Sequence, residues 1–363
     1  MSERCDSLGC ILGFNSLAGG TGSGLGSRLW TELRDQFPEV SLVGCVVWPH
    51  RTGEVPVQNF NATLSLAHSL DSCDALWCAH NDSLHEAASL LCQGHEQGSS
   101  SSASSRPSRP PRPSPSPAST SKAVSATKSP HLWHLNSVLA RQLCASTLLP
   151  CWLDPRTSDG ALQTCAGVDF AHLLCAELCC SPQHKLLSSY IFPTAAADHH
   201  REFESQPWHG LARQATQACL LGRGTFSPEE RAIKWWLSFR GVDRPCWTGN
   251  SQSALLLRQR LQLLSSKGTC QWMSSVQEPS SDGVLVSYAP GPCSGLERTV
   301  SAVGASSSIV PTLDDILHHA TETLTSGAYL HHYTKWGMEK EELCEALVQV
   351  EHVLQEYSSL LLE

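Results

Sequence analysis

The chain has 363 residues, 41% of them hydrophobic, and carries 25 Lys and Arg against 34 Asp and Glu, a formal charge of −9 at pH 7. That length suffices for two or three domains with proper cores. The acidic balance argues against nucleic acid or an anionic membrane as a partner, and no window reaches the span of a transmembrane helix. Polar Ser2, Glu3, Arg4 and Asp6 do not make the opening of a signal peptide. Seventeen scattered cysteines, odd in number and without a C-x-x-C pair, read as reduced core thiols rather than a disulfide framework. Cys175, Cys179 and Cys180 come closest to a cluster, but zinc wants paired spacing.

In chain order, Cys10-Ile11-Leu12-Gly13-Phe14 predicts a short strand that runs into Ala18-Gly19-Gly20-Thr21-Gly22-Ser23-Gly24. A helix follows, with Leu25, Leu29 and Leu33 at i, i+4 and i+8, and Pro38 stops it. Val40 to Trp48 is nearly continuous in apolar and β-branched residues, the mark of a strand covered on both faces. Leu64, Leu66, Ala67 and Leu70 predict a helix, Asp74 to Cys78 a strand, and Asn81-Asp82-Ser83 the cap of a helix running through Leu91. Strand alternating with helix implies a parallel sheet with ligands at the carboxyl ends of the strands.

The composition then changes. Ser99 to Pro130 holds thirteen Ser, seven Pro, five basic residues and no acid; such a segment cannot offset its ordering entropy and is expected to be a disordered insertion over 94–130. Leu135, Val138, Leu139, Leu143 and Leu148 predict a buried central helix from Leu132 to Pro150. Lys234–Phe239, Cys270–Val276 and Gly283–Tyr288 read as strands among polar helices, a second α+β unit. Pro311 starts a helix, Gly337 interrupts, and Glu339–Leu362 forms the last helix, with Leu343, Leu347, Val350, Leu354 and Tyr357 on one stripe that packs on its own domain. The expected partition is 1–93, a partial nucleotide-binding domain; 94–130, the insertion; 131–184, central helix and following loop; 185–310, an intermediate α+β domain; and 311–363, C-terminal helices.

The glycine run carries the chemistry. Four glycines at a strand-to-helix turn leave backbone N–H groups free to face an anion, and the helix adds its own unpaired amides and positive end. Asn81 and Asn136 offer paired donors and acceptors, the complement of a guanine edge, although each Asn alone is an ordinary turn or cap residue. The dinucleotide pattern G-x-G-x-x-G, the P-loop G-K-[ST] and the hydrolase frame G-x-S-x-G are all absent. The pairs His199-His200, His318-His319 and His331-His332 diverge on a helix and do not form a metal site.

The run Ala18–Gly24, AGGTGSG, resembles the tubulin signature [GA]GGTGSG. The likeness continues in Ser16, Asn61, Asn81 and Asn136, which match the family's ribose- and guanine-contacting positions, and in Ala328 to Glu339, similar to the segment joining the family's last two helices. Val47-Trp48-Pro49, Thr52 to Val55, Val57 to Asn61 and Tyr333 to Gly337 are most similar to the delta class. The resemblance implies an α/β, tubulin-like fold: a Rossmann-like parallel-sheet GTP-binding domain present in part, a central helix, a second α+β domain and a C-terminal helical pair. GTP is the implied cofactor, with Ser16, Ala18, Gly19, Gly20, Thr21, Gly22, Ser23, Gly24, Asn61, Asn81 and Asn136 as its contacts.

The implied role is structural, in the microtubule cytoskeleton of centrioles, basal bodies, cilia or flagella, with other tubulins or centriolar proteins as partners and the cytoplasm, cytoskeleton and nucleus as locations. Any catalysis is at most a weak polymer-coupled GTPase. For that step the resemblance aligns Asp169 with the first acid of the family's water-positioning pair, while His172 stands where the second carboxylate falls, with reversed charge logic when protonated. Only seventeen residues precede Ala18, where the family has several strand–loop units that touch base, phosphate and Mg²⁺. The expectation is an N-terminally incomplete chain whose Mg²⁺ ligands lie in the missing part and whose sheet is left with an apolar edge. The alternative is a degenerate, non-polymerising scaffold that binds partners without a working GTP site.

Overall fold

The computed structural model describes residues 8–53, 55–89, 130–148, 152–153, 170–193, 207–221, 230–241, 252–270, 283–289, 291, 293 and 296–362. Three parallel strands open the chain, β1 (Cys10–Ser16), β2 (Ser41–Trp48) and β3 (Ala75–His80). Between them lie a helical stretch that begins with a wide turn, Thr21–Leu25, and continues as α1 (Gly26–Gln36), and then α2 (Gln58–Ser72). Residues 81–89 form α3. The asparagine expected to cap this helix is already inside it. Asp82 turns back to accept from the Arg51 N–H at 3.1 Å and to pair with His50 at 2.7 Å.

The rest of the chain supplies α4 (Leu132–Leu143), β4 (Trp152–Leu153), α5 (Phe170–Leu178), β5 (Leu186–Phe192), α6 (Pro207–Leu221), β6 (Ala232–Arg240), α7 (Gln252–Lys267), β7 (Val284–Ala289), β8 (Thr299–Ser306), α8 (Val310–Ser326), α9 (His331–Thr334) and α10 (Lys340–Ser359). One mixed sheet runs β1-β2-β3-β5-β8-β6-β7-β4. It is parallel from β1 to β5 and again between β6 and β7, and antiparallel where β8 meets β5 and β6 and where β4 meets β7. The insertion expected over 94–130 lies outside the described residues except for Pro130, as do 271–276 of the strand expected from Cys270.

β2 is buried along nearly its whole length, as its unbroken apolar pattern requires. Gly13 of β1 stands opposite Gly44 of β2. The Trp30 indole from α1 lies across this pair, where a Cβ on Gly13 would overlap the ring. Its Nε1 donates to Asn15 Oδ1 at 3.2 Å. This packing corrects the face expected for α1. Leu25 and Leu29 are more than half exposed, while Ser27 and Trp30 are buried. Two glycines in adjacent strands open a groove that one indole fills, and that groove rather than the leucine spacing sets the rotation of the helix.

α4 likewise buries one face, through Leu135, Val138, Gln142 and Leu143, and leaves Leu132 and Trp133 exposed. α10 packs on α8 and α2. It buries Leu343, Leu347, Val350 and Tyr357, with Leu354 half-buried, and Gln349 Nε2 donates to Asp71 of α2 at 2.6 Å. A separate cluster fills the space between β5–β8 and helices α6 and α7, built on Tyr190, Trp235, Leu237, Phe239 and Leu257. Cys45 and Cys73 are buried thiols of the core, and burial is the chief cause that pushes the pKa of each up to about 12.

Candidate functional site

The carboxyl ends of β1, β2 and β3 lie side by side, Ser16 opposite Val47 and Val47 opposite Ala79. Two strand spacings, about 10 Å, therefore separate Ser16 from the end of β3. The glycine run leaves this edge directly. Leu17 N–H donates to the Val47 carbonyl at 3.0 Å, holding the chain to β2 for one residue after β1 ends. Helix begins at Gly20, whose backbone is right-handed at φ −56° and ψ −40°. The N–H groups of Gly20, Thr21 and Gly22 belong to its first turn, where no intrahelical acceptor exists.

The glycines divide into two kinds. A Cβ on Gly22 would stand 2.8 Å from the Ser16 carbonyl oxygen and 2.9 Å from the Ser16 nitrogen, so only glycine lets this turn sit on β1. Gly19, Gly20 and Gly24 would direct a Cβ into open space. That is the side on which a ligand can reach the backbone. Thr21 is exposed and Ser23 is buried. The Ser23 hydroxyl and N–H both donate to the Gly19 carbonyl, at 2.7 and 2.9 Å, which closes the turn on itself.

Three side chains brace the run. Ser16 Oγ accepts from Ala18 N–H at 3.4 Å. Asn61, on the first turns of α2, donates through Nδ2 to the Ala18 carbonyl at 2.8 Å. Asn15 Nδ2 reaches the Gly22 carbonyl at 3.4 Å. The structure thus joins Ser16, Ala18–Gly24 and Asn61 into one unit. Asn15 belongs to it as well; its only signal in the sequence is its place beside the motif.

Asn81 lies at the start of α3, just after β3, and is half-buried. Asn136 is on an exposed position of α4. Asp169 falls outside the described residues, and His172 lies in the first turn of α5. Among the described residues no three His, Cys, Asp or Glu side chains are grouped as metal ligands, and no helix is long and apolar enough to cross a membrane.

His80 ends β3 and stacks on Trp48 with ring centroids 5.3 Å apart. Burial holds its pKa down to about 4, against an opposing pull from Asp82. Partial burial opposes ionisation of Asp82, but the hydrogen bond from His50, the Arg51 N–H and both neighbours' charges keep its carboxyl below the usual range. A cleft of about 360 Å³ opens beside these residues, between Arg51, His80 and Asp82 on one side and Ser188, Tyr190 and Glu230 on the other. The described residues lining it do not include the glycine run.

The parallel βαβ stretch that carries AGGTGSG at the end of its first strand lies within residues 1–89, which match the family model of the Tubulin/FtsZ family, GTPase domain. The chain is 27% identical to the tubulin delta chain of Mus musculus over 382 residues, spanning 99% of this chain and 72% of that protein. It is 26% identical to the tubulin delta chain of Homo sapiens over 371 residues, with the same shares covered. Its identity to the tubulin epsilon chain of Mus musculus is 25% over 377 residues, 99% of this chain and 69% of that one. The likeness to tubulins therefore runs along the whole chain, and tubulin delta chains are among the proteins it resembles.

Proposed function

We propose that this chain binds GTP at the glycine run and serves as a structural, delta-like component of the microtubule cytoskeleton. The observation that carries this reading is the run itself: first-turn amides of Gly20 to Gly22 and the open faces of Gly19, Gly20 and Gly24 sit together at the end of a parallel strand. The nucleotide supplies a chain of phosphate oxygens, and the protein supplies backbone donors and the positive end of a long helix. In this reading Ser16 and Ala18–Gly24 hold phosphate, Asn61 braces the loop beside the ribose, and Asn81 and Asn136 read the guanine edge. Asp169 and His172 would act on the γ-phosphate of a neighbouring subunit.

The finer role we assign is in centrioles, basal bodies and cilia, with other tubulins and centriolar proteins as partners and the cytoplasm, cytoskeleton and nucleus as locations. Its support is the delta-like pattern of the sequence together with the similarity to tubulin delta chains. A second reading, a scaffold that no longer handles GTP, draws on one observation: both ends of the Asn61 amide are engaged by protein, Nδ2 by the Ala18 carbonyl and Oδ1 by the Tyr333 hydroxyl. Equilibrium titration with a fluorescent GTP analogue separates the two. Saturable binding, competed by GTP and lost in Gly22→Val, supports the first; absence of binding by the wild-type chain supports the second.

A further inference from the structure

The brace on the glycine run continues beyond Asn61. Tyr333, 272 residues later in α9, donates its hydroxyl to Asn61 Oδ1 at 2.7 Å. Its ring meets Phe60 edge-on, with centroids 5.7 Å apart. Burial pushes the phenol up to about 12, so it remains a donor. A terminal amide has one acceptor end and one donor end. With Oδ1 held by Tyr333, Nδ2 is left to face the Ala18 carbonyl, which it reaches at 2.8 Å.

The Ala18 carbonyl and the Gly19 N–H belong to one planar trans peptide and point in opposite directions. Fixing the carbonyl toward α2 therefore aims the Gly19 N–H away from α2. The segment that supplies Tyr333 is itself set off by left-handed residues, Gly327 at φ +69°, Tyr329 at φ +60° and Gly337 at φ +91°. It forms a strap between α8 and α10, with Trp336 84% exposed on it.

We propose that Tyr333 is a positioning residue for the glycine run: through Asn61 it orients the Ala18–Gly19 peptide, and so couples the strap to whatever anion the run binds. This rests on the phosphate-binding reading of the run. By reciprocity, a ligand at the run tightens the strap as much as the strap tightens the ligand.

The test uses the full chain, Tyr333→Phe and Asn61→Asp. Phenylalanine keeps the packing on Phe60 and removes only the hydroxyl, whereas aspartate keeps an acceptor for Tyr333 and removes the donor to Ala18. Hydrogen exchange is followed at Leu17 and Ser23, the hydrogen-bonded amides on either side of the Ala18–Gly19 peptide, with β2 as internal control. Binding of a fluorescent GTP analogue is measured alongside. Either variant should speed exchange at Leu17 and Ser23 and weaken nucleotide binding roughly tenfold, the equivalent of one hydrogen bond. β2 should stay unchanged, and the double variant should lose no more than either single one.

Unchanged exchange and affinity in Tyr333→Phe overturn the proposal. Faster exchange with unchanged affinity overturns the coupling to ligand. If the wild-type chain binds no nucleotide, the phosphate-binding reading fails, and exchange alone decides whether Tyr333 positions the run.

Discussion

The hydroxyl of Tyr357 donates to the Leu186 carbonyl and accepts from the Leu186 N–H, both at 2.9 Å. Tyr357 is fully buried on α10, and Leu186 is the first residue of β5, where it pairs with Leu76 of β3. β3 and β5 are in ladder register over two residue pairs, Leu76 with Leu186 and Trp77 with Leu187. One phenol from the last helix therefore reinforces the seam between the two parts of the sheet.

Tyr357→Phe retains the ring but strands the buried Leu186 amide and carbonyl. The expected loss is about 1–3 kcal/mol of stability. Urea denaturation checks it, and a midpoint equal to wild type would show that the seam holds without the phenol.

Gly22 and Gly24 should respond in opposite ways to alanine. At Gly22 the new Cβ would press on the Ser16 backbone, so Gly22→Ala should cost about 1–3 kcal/mol and remove nucleotide binding together. At Gly24 the Cβ would enter open space. Gly24→Ala should keep or slightly raise the melting temperature, because alanine favours helix, while still weakening binding of a fluorescent GTP analogue. Equal effects on folding would remove the distinction between a packing glycine and a ligand-facing one.

Gly13→Ala should push against the Trp30 ring and destabilise by about 1–3 kcal/mol. Shrinking the partner, as in Gly13→Ala with Trp30→Leu, should give less than the sum of the two single losses, since they share one contact. Strict additivity in denaturation midpoints would mean that the groove does not set the helix.

The stability of the chain should fall as pH drops from about 6.5 to about 4, the window between the ordinary and the depressed pKa of His80. The unfolded ring takes up its proton near the top of this window and the folded ring only near the bottom, so protonation favours unfolding throughout and the loss levels off below it. Asp82, whose carboxyl is held low in the folded chain, adds a loss in the same direction at more acid pH. His80→Phe should flatten the His80 part of the profile. Urea midpoints measured above and within the window would show it.

The glycine run, β2, β6, β7 and the stripe of α10 were legible because each has a strong local signature, whether a run of small residues, a β-branched block or a regular apolar spacing. Two of the innermost strands, β5 and β8, were not. Leu186–Phe192 lacks alternation, and Thr299–Ser306 is built of small and hydroxylated residues, yet every residue of β8 is buried. Its environment comes from β5 and β6 on either side rather than from its own hydrophobicity.

The candidate site divides in the same way. That a turn rich in backbone donors follows the first strand is written in Ala18 to Gly24, because glycine content and position are local properties of the chain. Which glycine packs and which faces outward, which face of α1 is buried, and that Asn61 is held by Tyr333 were decided only in three dimensions. Each depends on the approach of segments far apart in sequence, and no local spacing records the distance at which a Cβ, an indole or a phenol meets its neighbour.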